Sequence, residues 1–325
     1  MNDFQRLIDD YISYVSTVRR YSPRTVQIYR DILERFRAFC SPADYTNALR
    51  TDIIRTYEVM LVESQEAKAS TVNLHMSVLS GFCRRLVAKG ILDANPVRMV
   101  PRPKEEKRLP QFFRKEGIDC YFKSTQVFGS ETVMQMLSGK PGDKYDLEVY
   151  SRVLGRLIIS ILYSTGIRRS EIISLTKERT DLQRRVLHII GKGDKMREVP
   201  LTPSLCAEIS LYLRVMDAVR ITSSPESPLL LTPSGRELYP VFVDRTVKRE
   251  LGRIEGIGTR KSPHVLRHTI ATELLDAGAP INSIKEMLGH SSLAATQVYT
   301  HNSIERLKGV YNNAHPRAEG GSKDE

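Results

Sequence analysis

The segment PVRMVPRPKEEKRLP, residues 96–110, constrains this chain more than any other stretch. It holds four prolines and five basic residues in fifteen positions. Proline fixes φ and removes a backbone donor, so such a run suits neither a helix interior nor a central strand. Its composition predicts an extended, exposed linker that divides the protein. The expected parts are a helical domain at 1–103, a linker at 104–110, a second domain at 111–317 and a flexible tail at 318–325. A length of 325 residues also suits two domains.

Charge narrows the class of partner. Lysine and arginine number 49 against 38 acidic residues, a net charge of +11, and basic residues outnumber acidic ones on both sides of the linker. The surplus is therefore no detachable tail. It points to a polyanion, with double-stranded DNA ahead of RNA and anionic membrane, and a basic linker between two basic domains suits a clamp. No apolar run approaches the ~18–20 residues needed to cross a bilayer, and MNDFQRLIDD lacks the apolar core of a signal peptide. A cytoplasmic, nucleoid-associated protein with no membrane partner is expected. The cysteines Cys40, Cys83, Cys120 and Cys206 show no C-x-x-C and no metal-ligand spacing, so they are expected to be reduced, idle thiols and the metal complement none.

Periodicity gives the elements. Phe4, Leu7, Ile8, Tyr11, Ile12 and Val15 recur at helical spacing. Ser22-Pro23 is a helix start, Thr51 or Asp52 can cap the next helix, and Ser70 precedes a long one stopped by Gly90. A four-helix bundle follows. In the second part, VLGRLIISILYSTGIRRSEIISL is helical with a break at Gly166. RRVLHIIGKGDKMREVPLT reads as two strands flanking a GKGD turn. Ser262 and Pro263 open a further helix, INSIKEMLG stops at Gly289, and Ser291 or Ser292 caps a helix containing Tyr299. The fold class is mainly α with a small antiparallel β-sheet in the C-terminal domain. GKGDK is no nucleotide-binding loop, because it sits inside a hairpin rather than between strand and helix.

Five pieces of the second part belong together: TGIRRSE at 165–171, the hairpin with Lys192, His264 and Arg267 on one helix face, LGH ending at His290, and Tyr299 nine residues on. At these residues the chain resembles the tyrosine recombinase, or phage integrase, family, and most closely its bacterial Xer branch. The family pattern is Arg…Lys…His-x-x-Arg…His…Tyr, and Arg168, Lys192, His264, Arg267, His290 and Tyr299 fill it. The register Gly-apolar-Arg-x-x-Glu favours Arg168 over Arg169, while Lys195 remains the alternative to Lys192.

The resemblance implies a two-domain DNA clamp, with a SAM-like helical core-binding domain followed by the catalytic domain. It also implies a reaction without cofactor or metal. Arg168 and Arg267 would hold the non-bridging oxygens of one phosphate. Tyr299 would be the nucleophile, forming a 3′-phosphotyrosyl intermediate, assisted by His264 and His290. Lys192 would protonate the leaving 5′ oxygen, and Glu171 would orient Arg168 from behind. The partners implied are a dif-like inverted-repeat DNA site, further recombinase protomers forming a tetramer on two sites, and a cell-division DNA translocase. Strand exchange would pass through a Holliday junction, and the helix around SIERLKGVYNN would dock on a neighbouring protomer. A mobile-element integrase, a type IB topoisomerase and a non-catalytic DNA-binding protein are the alternatives.

Two features depart from the Xer pattern. The stretch from Leu109 to Arg168 is longer than usual, which predicts an inserted loop around residues 120–147. Lys177 stands where relatives often place tryptophan.

Overall fold

The computed structural model describes residues 3–41, 44–63, 68–104, 112–140, 142–191, 196–221, 227–252 and 261–289. The chain divides into two compact units, Met1–Arg108 and Leu109–Glu325. The first part of the stretch expected as exposed linker belongs to the first unit: Pro96–Met99 forms a 3₁₀ turn, with Val97 and Val100 buried in that unit's core. No helix among the described residues is long and apolar enough to cross a membrane.

The first unit contains helices α1 (Asp3–Thr17), α2 (Pro23–Cys40), α3 (Tyr45–Ala48), α4 (Thr51–Glu63) and α5 (Ala69–Ala88). The helical spacing of α1 buries Phe4, Ile8, Tyr11, Ile12 and Val15 on one face. Ser22 caps α2 through its hydroxyl, which accepts from the Thr25 amide at 3.3 Å, and Pro23 occupies the first turn. Phe4 meets Phe36 edge-on and stacks on Phe82, while Tyr57 packs edge-on against Phe36, so aromatic rings join the four long helices into one core. Two expected caps fall inside their helices instead. Thr51 is the first residue of α4, and Ser70 lies in the first turn of α5. The Lys68 carbonyl already accepts from Thr71 and Val72, so the backbone starts α5 without a side-chain cap.

The second unit is built around α7 (Lys144–Thr165), which follows α6 (Lys115–Ser124) and two 3₁₀ turns, Gln126–Gly129 and Glu131–Met136. From Val153 to Thr165 every residue of α7 is buried, as befits a helix packed on all sides. The helices α9 (Pro203–Ala218), α10 (Pro240–Gly252) and α11 (Pro263–Asp276) pack against it. Between α7 and α9 come the short α8 (Arg169–Ile173) and an antiparallel sheet, β1 (Thr180–Asp181), β2 (Val186–Ile190) and β3 (Met196–Pro200), in the order β1-β2-β3. The expected two-stranded hairpin thus gains a short outer strand. Ile190 pairs with Met196 at the hairpin end, and Ile189 with Arg197. Helix α12 (Ile281–Leu288) ends at Gly289.

The stretch expected as an inserted loop is instead part of the core. Ile118, Tyr121 and Phe122 of α6 and Val133 of the second 3₁₀ turn are buried. Asp146, in the first turn of α7 and only 2% exposed, accepts the Ser138 amide at 2.7 Å and hydroxyl at 3.0 Å, and the Gly139 amide at 3.1 Å. Arg156 of α7 donates to the Phe122 carbonyl at 3.0 Å and to Glu208 of α9 at 3.0 Å. These buried polar groups fasten the segment to α7 and α9, which a loop on the surface would not be.

Candidate functional site

The site begins where α7 stops. Gly166 adopts the left-handed conformation (φ 61°) at the C-cap, and a Cβ there would lie 2.5 Å from Leu288 Cδ2. Glycine therefore serves twice, for the left-handed backbone and for the close approach of the Leu288 side chain. The turn buries Ile167 and makes Arg168 the N-cap of α8. Glu171, the third residue of that helix, returns its Oε2 to the Arg168 backbone N–H at 2.8 Å. That is one half of a capping box, and it explains the Arg-x-x-Glu spacing in local terms. The other carboxylate oxygen accepts Arg168 Nη1 at 2.8 Å, while Arg168 Nη2 donates to the Gly289 carbonyl at 2.7 Å. Arg169, by contrast, pairs with Asp244 on α10. Of the two adjacent arginines, only Arg168 faces Glu171 and the end of α12.

Arg267 arrives from α11. Pro263 occupies that helix's first turn, after Ser262, and the three-residue spacing sets His264 and Arg267 on neighbouring turns. His264 is exposed, whereas Arg267 is 7% exposed. Arg267 Nη1 donates to the Gly166 carbonyl at 2.6 Å and Nη2 to the Leu288 carbonyl at 2.5 Å. Burial, then the like charge of Arg168, pulls its pKa down to about 10, with Glu171 pulling the other way and Arg197 adding to the fall. It stays a cation at neutral pH.

Arg197 was not anticipated. It lies on β3, 5% exposed, and forks onto Glu171 through Nη1 to Oε1 at 3.0 Å and Nη2 to Oε2 at 2.8 Å. Burial pushes the Glu171 carboxyl up, but the bonds and charge of Arg197 and the bonds from Arg168 outweigh it, leaving its pKa below the ordinary value. The available signal was the alternation of β3, in which Arg197 shares an inward face with Val199. A basic residue on the core face of a strand needs a buried partner.

The structure thus brings Arg168, Glu171 and Arg267 together with Arg197, and sets His264 one helical turn from Arg267. Lys192 and its alternative Lys195, His290 and Tyr299 lie outside the described residues, as do the helices expected to contain Tyr299 and SIERLKGVYNN. Three guanidinium groups gathered about one carboxylate leave a local positive surplus. The hydrogen bonds to Glu171 and the backbone carbonyls use only part of the donor forks of Arg168 and Arg267. Such an arrangement can receive a tetrahedral oxyanion.

Residues 143–306 match the phage integrase family, and residues 8–90 match the phage integrase N-terminal SAM-like domain. Tyrosine recombinase XerC of Chlorobaculum parvum is 32% identical over 324 residues, covering 96% of this chain and 95% of the relative. Tyrosine recombinase XerC of a Mycobacterium species (strain KMS) is 30% identical over 321 residues, covering 97% and 100%. Among solved structures, the Tn1549 transposon integrase in complex with transposon right end DNA superposes with a TM-score of 0.67 at 17% identity, covering 94% of this chain and 98% of that one. XerH site-specific recombinase bound to palindromic difH substrate gives a TM-score of 0.62 at 17% identity, covering 94% and 83%. At these identities the two structures speak for the fold.

Proposed function

This chain belongs to the phage integrase family of tyrosine recombinases, and we propose that this DNA-breaking and rejoining enzyme works in the Xer manner. It exchanges strands between two copies of a dif-like inverted-repeat site, as a tetramer formed with itself or with a related recombinase. The observation that carries the reading is the meeting of Arg168 and Arg267 at the end of α12 beside Glu171. Full-length likeness to proteins named XerC supports the Xer assignment. In this role the protein acts on chromosomal DNA at the nucleoid, and a cell-division DNA translocase is the partner that brings sites together.

The chemistry follows from the residue types. Attack on a phosphodiester gathers negative charge on its non-bridging oxygens, which Arg168 and Arg267 neutralise, with His264 and His290 adding hydrogen bonds. The Tyr299 oxygen forms a bond to phosphorus as the bond to the 5′ oxygen breaks. The phenol proton leaves with help from His264, and Lys192 gives a proton to the departing 5′ oxygen. A phenol has an ordinary pKa near ~10, so its deprotonation at neutral pH needs this cationic surround. The 3′-phosphotyrosyl bond retains the energy of the bond it replaces. A 5′ hydroxyl from the partner duplex then attacks it, reversing the proton movements and freeing Tyr299.

The test is a pool of duplexes carrying inverted half-sites and nicked just downstream of the scissile phosphate, so that the short fragment bearing the freed 5′ hydroxyl diffuses away and the covalent complex accumulates. The wild-type chain is expected to give an adduct that survives denaturing electrophoresis, and Tyr299→Phe to bind the same duplex and give none. An adduct from Tyr299→Phe removes that residue from the mechanism.

A further inference from the structure

Three consecutive carbonyls at the end of α12 are each held by a different arginine. Met287 accepts from Arg197 Nε at 2.9 Å, Leu288 from Arg267 at 2.5 Å and Gly289 from Arg168 at 2.7 Å. The last carbonyls of a helix lack intrahelical partners and form the negative end of its dipole, so cations suit them. Two of these arginines belong to the proposed phosphate clamp, and the third does not. Arg197 is buried, and its Nη1, Nη2 and Nε all bond to protein groups on two other elements. At Gly289 a Cβ would sit 3.0 Å from Arg197 Nη1, so glycine lets the guanidinium lie close to the turn that precedes His290.

The fork fixes a plane. With both oxygens of Glu171 engaged by Arg197, the carboxylate can present one oxygen to the Arg168 guanidinium and the other to its backbone N–H, each at 2.8 Å. A carboxylate held only by Arg168 would keep its bond to the backbone N–H but lose the fork that fixes its plane, so the oxygen facing the Arg168 guanidinium could swing and take that side chain with it. We infer that Arg197 is a positioning residue for strand cleavage: through Glu171 it orients Arg168, and through Met287 it sets the carboxyl end of α12 that leads to His290. This rests on the tyrosine recombinase reading of Arg168. A merely structural role would lower stability, and activity would fall only with the folded fraction.

The experiment compares full-length wild type, Arg197→Gln and Arg197→Lys on the nicked-duplex pool. Duplex affinity, thermal midpoint and single-turnover adduct formation are measured from about pH 5 to 8. Arg197→Gln is expected to bind duplex as the wild type does but to form adduct about 100-fold more slowly, the scale of a misplaced catalytic group. It should also acquire an acid limb. Glu171 faces Arg168, Arg197 and Arg267, and without Arg197 its burial is less opposed. Its carboxyl then protonates at a higher pH and releases Arg168 as pH falls. Arg197→Lys keeps the charge without the fork and should lie between the two. Wild-type rates with an unchanged pH profile in Arg197→Gln overturn the proposal, as does a rate loss that merely follows lost duplex binding. Should Arg197→Gln fail to fold, Arg197→Lys decides, since a folded Lys variant at the wild-type rate rejects the role. No adduct from the wild type refutes the recombinase reading and this proposal with it, whereas equal adduct from wild type and Arg197→Gln refutes the positioning role alone.

Discussion

A glycine and an arginine show how differently single residues can be read. Gly166 was legible as a helix break, but not as the residue that admits α12. Its φ is 61° and a Cβ would fall 2.5 Å from Leu288 Cδ2 and 3.2 Å from Ile270 Cγ2. Gly278 also has positive φ, 82°, yet a Cβ there would meet nothing within 4 Å. Gly278→Ala should therefore cost only the left-handed strain, about 1 kcal/mol. Gly166→Ala should cost about 2–4 kcal/mol, because overpacking against α12 adds to that strain. Urea denaturation of the two variants measures the difference, and equal losses would mean α12 yields freely at this contact. Arg168, His264 and Arg267 could be picked out because their spacing and neighbours form a pattern. Arg197 carries no such pattern. Its partner Glu171 lies 26 residues away in the chain, and only folding brings them together.

At the scale of elements, strong periodicity translated well and weak periodicity did not. The starts of α2 and α11 and the end of α12 were readable from Ser22-Pro23, Pro263 and Gly289, through a hydroxyl cap, first-turn prolines and a left-handed turn, although Ser262 sits at the N-cap of α11 without a side-chain hydrogen bond. The stretch 120–147 was not, because its 3₁₀ turns are too short to establish a period. Nothing in the sequence marks Asp146 apart from the stretch's other acidic residues, Glu131 and Asp143, yet in the fold it is the anchor. Asp146→Ala should leave the amides of Ser138 and Gly139 without their carboxylate, at a cost of about 2–3 kcal/mol. Asp143, which caps α7 by accepting from the Tyr145 and Asp146 amides, makes a useful contrast. Its loss should cost about 1 kcal/mol, the ordinary worth of an N-cap. Hydrogen exchange at Ser138 and Gly139 should accelerate in the Asp146 variant and stay slow in the Asp143 variant. Slow exchange in both would show that the segment is held by its apolar contacts alone.

For the whole molecule, the net charge of +11 named a class of partner without separating charge that attracts from charge that reacts. The fold supplies the separation. Arg267 is 7% exposed and Arg168 half-buried, whereas most basic side chains among the described residues face solvent. Exposed cations bind duplex by releasing condensed counterions. If six to ten phosphates are neutralised, affinity should fall by about 10³–10⁵ between 50 and 200 mM salt. Buried cations are screened much less, since mobile ions do not enter the space around them. Once duplex is saturated with protein, single-turnover adduct formation should therefore change less than about 10-fold over the same range. The two quantities can be read from one titration series, by fluorescence anisotropy for binding and by denaturing electrophoresis for the adduct. A cleavage rate that fell as steeply as the affinity would place the reacting phosphate among exposed charges, away from the pocket made by Arg168 and Arg267. A flat rate beside a steep binding curve would assign the bulk of the charge to capture, and the Arg168–Arg267 pair to the bond that breaks.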